Sequence, residues 1–352
     1  MIKLLLLLDF IFLIYLLLEK NENSKMFKFG IIIFFIVLFS ISITFVPANT
    51  FDISVYYKEM DIFRNYGIVD GFIKSQYNDY PVICLYFALC SFFPNFFLSG
   101  LSTIVIYGIV VFLLTKCKFK SNFDYLLIIF FVLVSINYLS TINGIRNAMC
   151  YAILSLAIYW FNERNMGRAV FFGLISVGIH SSAILVIVMF IFGKIMSIKF
   201  FTFAFLVILF LKILPNTLLP LETIPILGAL FFRIRVYLLE SISINSVLIY
   251  YFTSLLMGIF IYSVYKKKES LTSYSFFTGI LFTFPIFFLF DNTIIARVIG
   301  FIPFYNLALS NTFVAKRKIN KCINYLVYVY LFISFLFLCY TTYSVMSFGG
   351  TL

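Results

Sequence analysis

The sequence predicts an all-α protein, a polytopic bundle of membrane-spanning helices. Three observations carry that prediction. Hydrophobic residues make up 63% of the 352, and mean hydropathy is +1.08. Charged residues make up 11%, less than half the roughly 25% of a soluble domain. Apolar runs long enough to cross a bilayer recur from one end of the chain to the other. Together these exclude a soluble enzyme, a disordered chain and a disulfide-stapled secreted domain. Since no long stretch is polar enough to stand alone in water, residues 1–352 read as a single integral membrane domain. Most of the abundant Phe reads as packing and lipid contact, while Tyr gathers near the ends of the runs, as interfacial residues do.

The runs fall near residues 3–18, 29–46, 81–115, 125–141, 146–161, 169–193, 200–214, 247–265, 274–290, 296–314 and 323–344. Six of the breaks between them are short and basic. They hold Lys20, Lys25 and Lys28; Lys116, Lys118 and Lys120; Arg164 and Arg168; Lys194 and Lys199; Lys266, Lys267 and Lys268; and Lys316, Arg317, Lys318 and Lys321. Short loops rich in Lys and Arg stay on the cytoplasmic side. The net charge of +12 therefore reads as topology and lipid head-group contact, and nucleic acid is not an expected partner.

Placing those six breaks inside forces an even number of crossings between any two of them. Between Lys28 and Lys116 lie the run 29–46, a polar outer loop 47–80 and a return crossing at 98–115. Residues 81–95, broken by Pro94, are then a re-entrant or interfacial helix, whose irregular backbone must be covered by protein or water. Between Lys120 and Arg164 two helices meet near Ser140–Gly144. Between Arg168 and Lys194 there is room for about one span by length. Parity therefore calls for two short helices meeting at Gly178-Ile179-His180-Ser181-Ser182, with Ser181 or Ser182 as the cap of the second. Runs 200–214 and 247–265 flank an outer loop, 215–246, and runs 274–290 and 296–314 flank another at 291–295. The count comes to about 11–13 helices, with both termini outside. The first run reads as a membrane helix rather than a cleaved signal, because no small-residue cleavage site follows it. The six cysteines show no metal-like spacing and read as small hydrophobes.

The remaining basic residues include Arg146, Arg233, Arg235 and Arg297, all on the outer side, against the usual bias. Arg146 opens the apolar stretch Asn147–Trp160, and Arg297 lies among Ile294, Ile295, Val298 and Ile299. A cation at a helix N-terminus opposes the dipole, so it needs an anion: an acidic side chain, a lipid phosphate or a substrate. Arg233 and Arg235, in Phe231-Phe232-Arg233-Ile234-Arg235, suit lipid head groups or substrate equally. His180, the only histidine, sits at the expected vertex beside two serines. In 47–80, Asp52, Glu59, Asp61, Asp70 and Asp79 alternate with Tyr56, Tyr57, Tyr66, Tyr77 and Tyr80. Carboxylates beside aromatic rings suit sugars, which offer hydroxyls on their edges and apolar faces to stack. Most of these residues read as a solvated loop; Asp52 and Asp79 stand out because each borders a helix mouth. Asp291 stands six residues before Arg297 and is placed to pair with it or with substrate. Guanidinium groups match phosphate oxygens, so a lipid-linked pyrophosphate fits the pattern. Metal-ligand spacing, DxD, GxSxG and a P-loop are all missing, so no metal or cofactor is expected and the arginines would neutralise the leaving group.

Gly144-Ile145-Arg146-Asn147-Ala148, followed by an apolar helix, a basic turn and Gly178-Ile179-His180-Ser181-Ser182-Ala183, resembles the EpsG family of Wzy-like polysaccharide polymerases. Asp52 with Tyr56, and Asn292 with Arg297 and Tyr305, resemble the family's early and late motifs. Asn147 stands where Gln is commoner, and Asp79 where Glu is expected; neither change removes a charge. The resemblance implies a GT-C-like fold with an outer-side active site in the bacterial cytoplasmic membrane. It also implies transfer of a glycan between undecaprenyl pyrophosphate carriers, as in the making of O-antigen, capsule or exopolysaccharide. In that reading Arg146 and Arg297 bind pyrophosphate. His180 either hydrogen-bonds it or positions the acceptor, and Asp52 or Asp79 acts as general base. Asn292, Asp291, Arg233, Arg235, Tyr56 and Tyr80 contact substrate. A chain-length regulator and a flippase are expected partners beside the bilayer. The competing readings are a flippase or transporter of the same lipid-linked unit, a membrane O-acyltransferase and a glycan ligase. A transporter predicts charges through the depth of the bundle and internal repeats, neither of which the sequence displays.

Overall fold

The computed structural model describes residues 2–19, 25–44, 52–117, 125–126, 129, 132–133, 136, 138–184, 187, 206–207, 210, 213–223, 232, 235, 301, 304 and 307–308. All regular structure among them is helical. The chain divides into two compact units, Met1–Ala183 with Ile302–Leu352, and Ile184–Phe301.

The first unit contains α1 (Ile2–Leu18), α2 (Lys25–Ile43), α3 (Asp52–Lys74), α4 (Pro81–Cys90), α5 (Phe97–Lys116), α6 (Tyr138–Asn143), α7 (Ile145–Asn162) and α8 (Met166–Ile179). Among the described residues α2 and α5, of 19 and 20 residues, are long and apolar enough to cross a membrane. Helix α4 has ten residues, a rise of about 15 Å against a hydrocarbon thickness of about 30 Å. It is too short to cross, as expected for the segment broken at Pro94. The expected junctions at Ser140–Gly144 and Gly178–Ser182 are where α6 gives way to α7 and where α8 ends.

Contacts run in sequence through the unit. α1 packs on α2, α2 on α5, α5 on α7, and α7 on α8, while α4 bridges α3 and α8. Phe10 of α1 lies 6.3 Å from the Phe34 ring of α2 and 5.6 Å from the Tyr107 ring of α5. Gly100 allows a close approach of α5 to α2, because Phe39 and Ile43 already fill the space a Cβ would take. Small residues serve this purpose where helices have no water to drive them together. Buried hydroxyls find partners inside the unit: Ser42 Oγ is 2.8 Å from the Tyr138 hydroxyl and 3.0 Å from Thr103 Oγ1, linking α2, α6 and α5. The Tyr107 hydroxyl donates to the Ile136 carbonyl at 3.0 Å.

One expectation needs correcting. Residues 47–80 read as a polar loop, yet 52–74 form helix α3. Its buried residues Ile53, Tyr56, Met60 and Phe63 recur at helical spacing and make one apolar stripe; the charged residues between them dilute the composition without breaking the period. A kink falls at Gly67, whose φ of +74° lies in the left-handed region that glycine adopts at no steric cost. Arg64 ties α3 to the α4–α5 connector. Its Nε donates to the Ser91 carbonyl at 2.8 Å, and its other nitrogens reach the Phe93 carbonyl, Asn95 and Asp61.

In the second unit the described residues include a 3-10 turn at Pro215–Leu218 and the single helical turn α9, Leu219–Glu222. Both carboxylate oxygens of Glu222 accept hydrogen bonds from Arg235.

A candidate anion site at the start of helix α7

Three breaks in helical structure meet in the first unit: the turn 75–80 between α3 and α4, the junction at Gly144 and the end of α8 at His180. Helix α7 starts after Gly144, which offers no side chain to cap it, so the first N–H groups need partners from elsewhere. The Tyr56 hydroxyl from α3 lies near the Arg146 backbone N–H, which acts to lower the phenol's pKa. The Arg146 side chain turns toward the 75–80 segment. Its guanidinium carbon lies 4.1 Å from the Tyr77 ring centroid and 4.8 Å from that of Tyr80. Stacking on aromatic faces accommodates the flat, weakly hydrated guanidinium. It does not neutralise the charge. Among the described residues Arg146 forms no ion pair, and its buried Nε has no hydrogen-bond partner.

Tyr80 extends the aromatic wall to His180. The two rings stack at 6.1 Å and 21°, and the Tyr80 hydroxyl donates to Ser181 Oγ at 3.2 Å. His180 caps the end of α8 in an extended conformation, and its N–H donates to the Ser176 carbonyl. The Ser182 N–H donates to His180 Nδ1 at 3.0 Å. A nitrogen that accepts carries no proton, which leaves Nε2 as the N–H of the neutral ring. The imidazole therefore satisfies the N–H of Ser182 just after the break. Beneath the histidine lies Cys150 of α7, its Sγ 3.8 Å from the His180 carbonyl.

The wall is held from below by α3 and α4. Tyr56, buried, stacks on Phe87 at 5.4 Å and 27° and lies 6.1 Å from the Tyr77 ring. Burial pushes the Tyr56 and Tyr77 hydroxyls above the ordinary tyrosine range, outweighing the nearby Arg146 charge that pulls both down. Both stay protonated at physiological pH. Asp52, exposed at the start of α3, acts electrostatically on the same two hydroxyls and so borders the site. Asp79 is exposed in the 76–79 turn and makes no hydrogen bond or ion pair with the described residues. Arg235 is engaged by Glu222 in the second unit. Arg233, Asp291, Asn292 and Arg297 lie outside the described residues.

Two participants escaped the sequence reading. Tyr77 is the nearer of the two rings over Arg146, and Glu59 is 2% exposed and bonded to Ser75. The signal for Glu59 was available: it falls on the buried side of the stripe that runs from Ile53 through Tyr56 and Met60 to Phe63.

The fold and the site together define a membrane protein whose described helices meet around an uncompensated arginine at a helix start. The EpsG family model matches residues 52–348, and the chain belongs to this family of membrane proteins of polysaccharide biosynthesis. No curated protein and no solved structure matches it.

Proposed function

We propose that the protein is a polysaccharide polymerase that transfers a growing glycan from polyprenyl pyrophosphate onto a lipid-linked repeat unit. The reaction belongs at the outer face of the bacterial cytoplasmic membrane. One observation carries the reading: Arg146 stands at the N-terminus of α7 with a buried, unpartnered Nε and no carboxylate in salt-bridge range among the described residues. Burying a charge without a counter-charge is costly, and the helix dipole adds to the local positive potential. An anion supplied by a substrate removes both costs, and a pyrophosphate presents oxygens in the geometry a guanidinium matches.

In this reading the acceptor hydroxyl attacks the anomeric carbon of the donor. The bond from that carbon to pyrophosphate oxygen breaks, and the leaving group departs with its added negative charge. Arg146 stabilises that charge as it develops. His180, with its proton on Nε2, donates a hydrogen bond to the pyrophosphate. The acceptor's proton passes to a carboxylate, Asp52 or Asp79; the place of Asp52 beside Tyr56 and Tyr77 favours Asp52. Tyr80 offers its ring to a sugar face. Arg297, Asn292, Asp291, Arg233 and Arg235 are proposed as further substrate contacts on the sequence pattern alone.

The test is a deletion in the native host complemented with Arg146→Ala, with surface glycan resolved by size. Loss of the ladder while single repeat units are still displayed, at normal membrane levels of the variant, is the expected result. A wild-type ladder refutes the role. Loss of all display, with lipid-linked units held on the cytoplasmic side, makes the protein a flippase.

A further inference from the structure

Resting on the anion-site reading, we infer that Glu59 is a positioning residue: through Ser75 it fixes the turn that holds Tyr77 and Tyr80 against Arg146. The bond joins residues 16 apart in sequence, with Ser75 Oγ 2.5 Å from Glu59 Oε2. Its direction follows from the other contacts of the hydroxyl. The Tyr77 N–H donates to Ser75 Oγ at 3.0 Å, and Cys84 Sγ approaches the same oxygen at 3.4 Å. A serine hydroxyl has one proton to give and two lone pairs to fill. Ser75 Oγ accepts from the Tyr77 N–H, and its proton goes to the carboxylate, which can only accept.

The turn beyond Ser75 hangs from this point. The Asn78 N–H donates to the Ser75 carbonyl at 3.3 Å, the Tyr80 N–H to the Tyr77 carbonyl at 2.7 Å, and the Cys84 N–H to the Tyr80 carbonyl at 3.1 Å. Cys84 Sγ, 3.0 Å from the Tyr77 carbonyl, ties the turn to α4. The backbone bonds of the turn that carries Tyr77 and Tyr80 therefore lead back within a few links to Glu59. A leucine would fill this place in the buried stripe more cheaply than a carboxylate. What the carboxylate adds is a fixed acceptor, and so a single arrangement of the turn. Glu59 is not itself the counter-ion of Arg146, for no ion pair joins them. It acts through the position of the rings.

The test measures binding of farnesyl pyrophosphate, a soluble polyprenyl pyrophosphate, to the full-length protein in detergent by calorimetry. Thermal midpoints are recorded alongside. Glu59→Leu and Ser75→Ala each release the turn and are expected to weaken binding about tenfold with the midpoint kept. Glu59→Gln keeps an acceptor for the Ser75 hydroxyl and is expected to bind within about threefold of wild type. Arg146→Ala separates the two readings. If it binds as wild type does, the anion-site reading fails. If it loses binding while folded Glu59→Leu and Ser75→Ala both retain it, Glu59 has no positioning role. Equal weakening in Glu59→Gln and Glu59→Leu also overturns the inference, since charge rather than position would then be what matters. Should Glu59→Leu not fold, Ser75→Ala decides, because it removes a single oxygen.

Discussion

Gly178→Ala tests whether the contact between α4 and α8 sets the geometry of the site. A Cβ built at Gly178 falls 2.5 Å from Val82 Cγ2 and 3.2 Å from Val82 Cβ. Carbon atoms rest at about 3.5–4.0 Å, so the helices must part by about 1 Å. Val82 cannot turn aside, since a β-branched side chain in a helix has one strongly preferred rotamer. Overpacking of this kind costs about 1–3 kcal/mol. The displacement falls where it does most harm, two residues before His180 and two after Tyr80. Separation by that amount breaks the hydrogen bond from Tyr80 to Ser181, now 3.2 Å, and pulls apart the stacked rings, now 6.1 Å between centroids. The expected result is a lower thermal midpoint in detergent together with a shortened glycan ladder in the host. Val82→Ala removes Cγ2, the atom that clashes most, and leaves only the Cβ contact at 3.2 Å, so the double variant regains most of both losses, with a coupling of about 1–3 kcal/mol. If the double variant is only as stable as the sum of the single changes, the two helices do not meet as described and the reasoning fails.

Other expectations follow from the same contacts. Tyr138→Phe removes the hydroxyl bonded to Ser42 and is expected to cost about 0.6–1.7 kcal/mol, the range of polar contacts between membrane helices, read from the thermal midpoint. Arg64→Ala frees the connector at Ser91–Asn95; limited proteolysis there should accelerate, with a stability loss of about 1 kcal/mol because the guanidinium is partly exposed. Arg64→Lys recovers little, since one ammonium cannot reach the acceptors that the guanidinium fork spans. Tyr77 titrates higher in the folded protein than in the unfolded chain. Its contribution to stability is therefore complete below about pH 10 and lost as pH rises through the folded value. Chemical denaturation at pH 8 and above pH 10 should show that decline in the wild type and a smaller one in Tyr77→Phe.

Much of the helical plan of the described residues was legible because bilayer chemistry writes it into composition. A run of apolar residues bounded by Lys116 or Arg164 and Arg168 has few ways to fold, and α5, α7 and α8 lie where those boundaries put them. The segment 52–74 was harder to read. Apart from the buried Glu59 its charged residues sit at exposed or half-buried positions of a helix, so average hydropathy hides a stripe that periodicity reveals. Arg146 and His180 could be singled out because each is expensive where it stands: a cation at a helix start, an imidazole at a break in an apolar segment. Their partners could not. Tyr77 and Tyr80 reach Arg146 across more than sixty residues of chain, and which tyrosine does so depends on how the turn 75–80 is tied down. Glu59 looked like a solvated loop acid until the helix placed it inside.

The grouping of these residues has a physical cause. Inside a bilayer every backbone N–H and C=O must find a partner, and continuous helix is the cheapest way to provide one. Where a helix stops, the unmatched groups need side chains or ligands. In this protein three such stops lie together, and each is served differently. The Tyr56 hydroxyl lies near the N–H of Arg146, His180 meets the N–H of Ser182, and Ser75 meets the N–H of Tyr77 while giving its own proton to Glu59. The turn fixed by these bonds carries the Tyr77 and Tyr80 rings that face Arg146, whose Nε is left unmatched. In the proposed reading a charged ligand would complete what the helix ends begin, because breaks in the helices are where a membrane protein of this composition can place one.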